Sequence, residues 1–99
     1  IDGSTDDVLY MGDMKAKFEA FDWTVIEIDS GNEIDAILKG MNDAKKASGK
    51  GKPVCVILKT IMGHGVDFMM HTHAWHGKAP NDEQLVLALN QNPETLGDY

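Results

Sequence analysis

From residue 32 to residue 47 the apolar side chains recur with the period of a helix. Ile34, Ile37, Leu38 and Met41 fall at i, i+3, i+4 and i+7 and make one stripe. The spacing predicts a helix from about Asn32 to Ala47. Ser30-Gly31-Asn32 offers capping groups ahead of it. Glu33 and Asp35 near its start and Lys45 and Lys46 near its end suit the helix dipole. Gly40 lowers the propensity without breaking the pattern, and Gly49 and Gly51 stop it. On both sides of this helix the pattern changes. Trp23–Asp29 reads WTVIEID, with β-branched residues and partial alternation, and predicts a strand. Pro53–Lys59 reads PVCVILK, a short apolar run of the kind that suits a strand covered on both faces of a parallel sheet. Strand, helix and strand in this order make a βαβ unit, which calls for parallel strands and a right-handed crossover.

The flanks are less regular. Residues 1–12 hold Gly3, Gly12 and three aspartates and read as loop. Asp13 can cap a short helix over Met14–Phe21, in which Met14, Phe18 and Phe21 are spaced by four and three. From residue 60 to residue 80 the period is lost, among three glycines and four histidines. So long an irregular stretch is uncommon unless it is functional or disordered. Pro80-Asn81-Asp82 then opens a helix to about Asn92, with Leu85, Ala88 and Leu89 expected on its buried face. Pro93 ends it, and NPETLGDY is expected to be a loose tail.

With 99 residues, 42% of them hydrophobic and 25% charged, the chain fits one small domain with a modest core. Its net charge of −7 argues against a nucleic-acid binder, which needs clustered Lys and Arg. The densest basic stretch, KKASGKGK at Lys45–Lys52, reads as a solvated helix end and turn. Cys55 is the one cysteine, so no internal disulfide is possible, and a cytoplasmic setting fits. No apolar run approaches the roughly 20 residues that span a bilayer, and no signal peptide is visible. The chain opens Ile1-Asp2-Gly3 without an initiator Met, as a processed chain or a piece of a longer one would.

Ligands of open parallel α/β sheets bind beyond the carboxyl ends of the strands. Here those ends are Asp29-Ser30-Gly31 and TIMGHG, residues 60–65, and the second leads into HTHAWHG. Glycines in such a loop let backbone approach a ligand closely. His71, His73 and His76 admit a metal reading, yet their spacing matches no strong zinc signature and no second cysteine completes a set. The plainer reading makes His71 and His73 exposed loop residues and His76 a packed histidine supported by Trp75. A phosphate loop of the form GxxxxGK[ST] is absent, as is a GxSxG nucleophile setting. Asp2, Asp6, Asp7 and Asp13 read as a solvated acidic face. Most of the six methionines read as core filler, but Met62 lies on the strand-end loop.

Four segments together resemble transketolase, and most closely the amino-terminal section of split transketolases. They are IDGSTDDV, KFEAFDWTVIEID, KGKPVCVILKTIMGHGVDFM and AWHGKAPND, in that order, and they cover roughly residues 1 to 89. The resemblance implies an α/β chain that is part of a three-layer thiamine diphosphate-binding fold with a parallel sheet. Residues 1–99 would be the carboxyl half of the diphosphate-binding domain. It implies transfer of a two-carbon ketol unit between sugar phosphates, dependent on thiamine diphosphate and Mg2+. Carried over by position, Ile1 packs on the cofactor's ring system and Met62 contacts the cofactor. His76 reaches the diphosphate and the substrate entrance and is the catalytic candidate. The family often has Ile or Lys where Met62 stands; Met can replace the apolar contact but not a charge beside a diphosphate. Lys78 would add positive potential for sugar phosphates.

The GDG…NN motif that holds Mg2+ and the diphosphate in this family does not occur among these residues, nor does the glutamate of the family's second domain. The resemblance therefore implies metal ligands upstream, and as partners the remaining part of the amino-terminal section and the carboxyl-terminal section. No nucleic-acid or membrane partner is expected. Two other readings stand beside it. One is a non-catalytic α/β module derived from a thiamine diphosphate enzyme. The other is a 1-deoxyxylulose-5-phosphate synthase, against which AWHGKAP argues.

Overall fold

A computed structural model describes residues 2–93. The tail expected after Pro93 lies outside them. In chain order the regular elements are α1 (Thr5–Val8), α2 (Met14–Ala20), β1 (Thr24–Ile28), α3 (Ile34–Ala47), β2 (Val54–Leu58) and α4 (Asp82–Gln91). Two single 3₁₀ turns, Asp67–Met69 and His73–Trp75, stand between β2 and α4. The chain divides into two compact units: Leu9–Ile61, and Met62–Tyr99 together with Ile1–Val8. No helix among the described residues is long and apolar enough to cross a membrane.

The unit Leu9–Ile61 is the expected βαβ unit. β1 and β2 are parallel, in a register that pairs Thr24 with Val54 and Ile28 with Leu58. Asp13 caps α2, its carboxylate accepting from the Ala16 N–H at 2.9 Å. Phe18 then meets Trp23 edge-on, ring centroids 5.6 Å apart, and this contact leads the chain into β1. α3 packs on both strands. On the alternate face of β1, Glu27 meets Lys15 of α2 at 3.4 Å. Helices thus serve both sides of the sheet, the layering that the resemblance implied.

The packing face of α3 is set by small residues. Gly40 and Ala44 are buried, and Ile28 of β1, 5% exposed, seats its side chain against Gly40. A Cβ at Gly40 would run into Ile28 Cδ1 and come within 2.6 Å of its Cγ1. The helix therefore rides close on the strand because position 40 has no side chain. Ile37 lies half-buried on the same side. The rest of the anticipated stripe turns outward, with Ile34 68%, Leu38 57% and Met41 51% exposed. The period located the helix, but close approach chose a different arc for the contact.

Two capping expectations divide. α4 opens on a reciprocal capping box. The Asn81 side chain accepts from the Gln84 N–H at 2.8 Å, and the Gln84 side chain accepts from the Asn81 N–H at 3.0 Å. α3 has no side-chain cap at Glu33. Asn32 spends its amide oxygen on the Ile61 N–H instead, at 2.7 Å. Leu85 and Leu89 of α4, expected to be buried, are exposed, and Ala88 is half-buried. Helix α1 lies in the stretch read as loop. Its signal was Ser4-x-x-Asp7, a capping pattern in which the Ser4 hydroxyl donates to the Asp7 carboxylate at 2.7 Å and accepts from its N–H at 3.2 Å.

Gly40→Ala should destabilise the protein by about 1–3 kcal/mol through overpacking, against the roughly 1 kcal/mol of helix propensity it gains. In an Ile28→Ala background, itself costing about 2–5 kcal/mol, the same substitution should become neutral or stabilising. A denaturant double-mutant cycle checks this, and additive effects would show that the two side chains do not collide.

Candidate functional site

At the end of the parallel pair, backbone and side-chain bonds fix the corner where both strands exit. Gly31 N–H donates to the Lys59 carbonyl at 2.9 Å, and Lys59 N–H donates to the Ile28 carbonyl at 2.9 Å. Lys59 Nζ reaches Asp29 Oδ1 at 2.6 Å. That hydrogen bond first, and the lysine charge second, hold the Asp29 carboxyl below the usual carboxylate range. The same partners raise the Lys59 ammonium. A cavity of about 230 Å³ lies beside this corner, lined among others by Asp29, Ser30, Lys39 and Asp43. Its two aspartates already pair, Asp29 with Lys59 and Asp43 with Lys39 at 2.9 Å.

The loop from residue 62 onward is wired differently. Gly63 turns it with φ +71°, where an added Cβ would collide with the Met69 carbonyl. His71 also takes the left-handed region, at φ +59°, and its N–H closes the loop by donating to the Met62 carbonyl at 2.9 Å. Thr72 caps the second 3₁₀ turn by accepting from the Ala74 N–H at 3.2 Å. Trp75 is the anchor. Its indole N–H donates to the Phe68 carbonyl at 3.0 Å, its ring tilts against Phe68 with centroids 5.3 Å apart, and Lys78 Nζ sits 5.0 Å from its centroid.

These contacts leave a cavity of about 290 Å³, lined by Met62, Gly63, Met69, Thr72, Trp75 and His76. Two of the three candidate cofactor contacts, Met62 and His76, thus share one wall despite their separation in sequence. The third, Ile1, lies outside the described residues. His71 and His73 are exposed and absent from the lining, as the plainer reading held, but His76 is exposed too and is not the packed histidine of that reading. Among the described residues no group of three or more His, Cys, Asp or Glu side chains is placed to hold a metal. Gly63 and Thr72 belong to the strand-end and histidine segments already picked out, whereas Met69 joins the site without having been singled out. No period or motif marks it, because the loop's own hydrogen bonds bring it there.

Apolar walls of methionine and indole, with one hydroxyl and one imidazole, suit a small organic ligand carrying an anionic or hydroxylated end. Residues 1–93 match a family described as the transketolase, thiamine diphosphate binding domain. The chain belongs to this family. It is 35% identical over 88 residues to a transketolase of Nostoc sp., covering 88% of this chain and 13% of that protein. It is 33% identical over 89 residues to an apulose-4-phosphate transketolase subunit of Actinobacillus succinogenes, covering 90% of this chain and 31% of the relative. A transketolase of Kluyveromyces lactis is 33% identical over 98 residues, covering 95% of this chain and 14% of its own length. The chain thus spans from about an eighth to about a third of these relatives. Its parallel βαβ unit agrees with the fold of the thiamine diphosphate-binding domain.

The lowered Asp29 carboxyl means that the folded state binds fewer protons there than the unfolded chain. The pair's contribution should be present above the ordinary carboxylate value, near pH 3.9, and lost as the pH falls through the lower folded-state value. Asp29→Asn should therefore cost stability at neutral pH, little in strong acid, and less in high salt. Denaturation at several pH values checks the sign. Gly63→Ala, forced to φ > 0, should cost about 1–2 kcal/mol and speed hydrogen exchange of the His71 amide. Unchanged exchange would show that Gly63 does not set the loop.

Proposed function

We propose that the chain, residues 1–99, is the carboxyl half of the diphosphate-binding domain of a transketolase. In that reading it works within a larger cytoplasmic assembly that transfers a two-carbon ketol unit between sugar phosphates, with thiamine diphosphate and Mg2+. The observation that carries the reading is the cavity on which Met62 and His76 meet, within a chain of this family. When bound, thiamine diphosphate supplies the carbon–carbon bond chemistry, while the protein supplies binding, orientation and proton management. Met62, Met69 and Trp75 fit the apolar part of that cofactor. His76 can donate a hydrogen bond to phosphate or to a substrate hydroxyl. Lys78, held over Trp75, adds positive potential nearby. Ile1 would pack on the cofactor's ring system.

The cavity lining holds no carboxylate or carboxamide among the described residues. Mg2+ would therefore be held by residues beyond those described, and the remaining amino-terminal section and the carboxyl-terminal section would be the partners. The Actinobacillus relative is named as one subunit of its transketolase, which supports an enzyme divided between polypeptides.

His76→Ala in the assembled enzyme should lower kcat/KM with ketose and aldose phosphates by about 10²–10⁴-fold, and His76→Asn, which keeps an N–H donor, should recover part of it. Steady-state kinetics at saturating thiamine diphosphate and Mg2+ check this. A loss below about threefold would remove His76 from the site. An assembly without ketol transfer would favour the non-catalytic module.

A further inference from the structure

The loop that lines the cavity is gripped from behind by the last turn of α4, a helix that contributes no side chain to the lining. Gln91 binds Asp67 twice. The Asp67 N–H donates to Gln91 Oε1 at 2.8 Å, and Gln91 Nε2 donates to Asp67 Oδ1 at 2.9 Å. The same Asp67 oxygen accepts from the Phe68 N–H at 2.6 Å. Next along the chain, Asn92 Nδ2 donates to the Gly65 carbonyl at 3.3 Å.

Each gripped point leads to the cavity wall. Asp67 begins the 3₁₀ turn that delivers Met69. Phe68 offers the carbonyl that anchors the Trp75 indole. Gly65 stands two residues after Gly63, itself part of the lining. Beyond this grip the loop is ordered by its own short-range bonds, such as His71 to Met62 and Trp75 to Phe68, and none of its residues is fully buried. A segment ordered mainly by polar contacts sits at the low-stability end of a protein and loses affinity through the cost of ordering.

We propose that Gln91 is a positioning residue. Its paired bonds to Asp67 preorganise the cavity formed by Met62, Met69, Trp75 and His76, so that a ligand there does not bear the cost of ordering the loop. The proposal rests on the functional reading above only for the identity of that ligand. Neither Gln91 nor Asp67 lines the cavity, so their effect must appear in affinity and in loop dynamics rather than in the chemical step.

The test uses the assembled protein with thiamine diphosphate and Mg2+ as probe, and two readouts. One is hydrogen exchange of the His71 and Met69 amides without ligand. The other is cofactor KM against kcat at saturating cofactor. Gln91→Glu sets two carboxylates face to face and removes the donor. It should raise both exchange rate and cofactor KM on the order of tenfold and leave kcat unchanged. Beside Asp67→Ala, which removes the facing carboxylate, Gln91→Glu should shift neither value further than Asp67→Ala does alone. Gln91→Met removes both bonds without adding charge and should reproduce the KM shift.

An unchanged KM in Gln91→Glu would overturn the proposal. So would a Gln91→Glu shift that persists beside Asp67→Ala, a shift confined to the Glu variant, or a parallel fall in kcat. If the parent protein takes up no thiamine diphosphate, the functional reading fails instead. The exchange pattern across the variants then decides the clamp by itself.

Discussion

The seat of Ile28 against Gly40 is the constraint on which the unit Leu9–Ile61 depends. A helix can lie this close to a strand only where its facing position lacks a Cβ, and the contact puts Ile28 and Ala44 at the buried centre. The choice has a cost elsewhere on the helix. Ile34, Leu38 and Met41 keep apolar surface in water, and each exposed Å² forgoes about 25 cal/mol. Side-chain volume is what the arrangement lacks: among the described residues no large side chain is fully buried. Polar links, such as Asn32 to Ile61 and Lys59 to Asp29, therefore carry a larger share of the local order at the strand ends than they would beside a thick core. The ion pair is exposed, so its share is modest and subject to salt.

The loop unit follows another logic. Its order comes largely from hydrogen bonds that join residues near in sequence, His71 to Met62 and Trp75 to Phe68, with positive φ at Gly63, Gly65 and His71. A left-handed histidine is uncommon. Here it lets the peptide after Met70 fold back on Met62 and bring His76 round to the same cavity. One aromatic side chain then links the pieces, since Trp75 holds Phe68 through its tilted ring and its N–H and carries Lys78 over its face. Order of this kind comes from geometry more than from burial. It suits a surface that must admit a ligand, because few apolar contacts have to break when the loop adjusts.

Family membership and cavity geometry bear on different questions. The family places the chain among thiamine diphosphate-binding domains, and the chain spans about an eighth of its Nostoc relative. The cavity offers apolar walls, one hydroxyl and a single imidazole.

Much of the fold was legible in the sequence. The period of Ile34, Ile37, Leu38 and Met41 located α3, and the β-branched runs located β1 and β2. Asp13 and Asn81 marked two helix starts, and the βαβ order required parallel strands. These signals are local or follow from chain connectivity, so one sequence carries them. The burial of Leu85 and Leu89 was misread, and so was the arc of α3 that meets the sheet, because periodicity names an apolar face without naming its neighbour. Helix α1 was missed although Ser4 and Asp7 signal it, since four residues are too few for a period to emerge. Met62 and His76, which line the cavity, were singled out from their place in the loop and from the family resemblance. Met69 and the Gln91–Asp67 grip were not. Contacts such as Asp67 to Gln91 join residues far apart in the chain, and no spacing rule encodes them. They exist because the folded backbone brings a donor and an acceptor to within about 3 Å of each other, which only the tertiary structure decides.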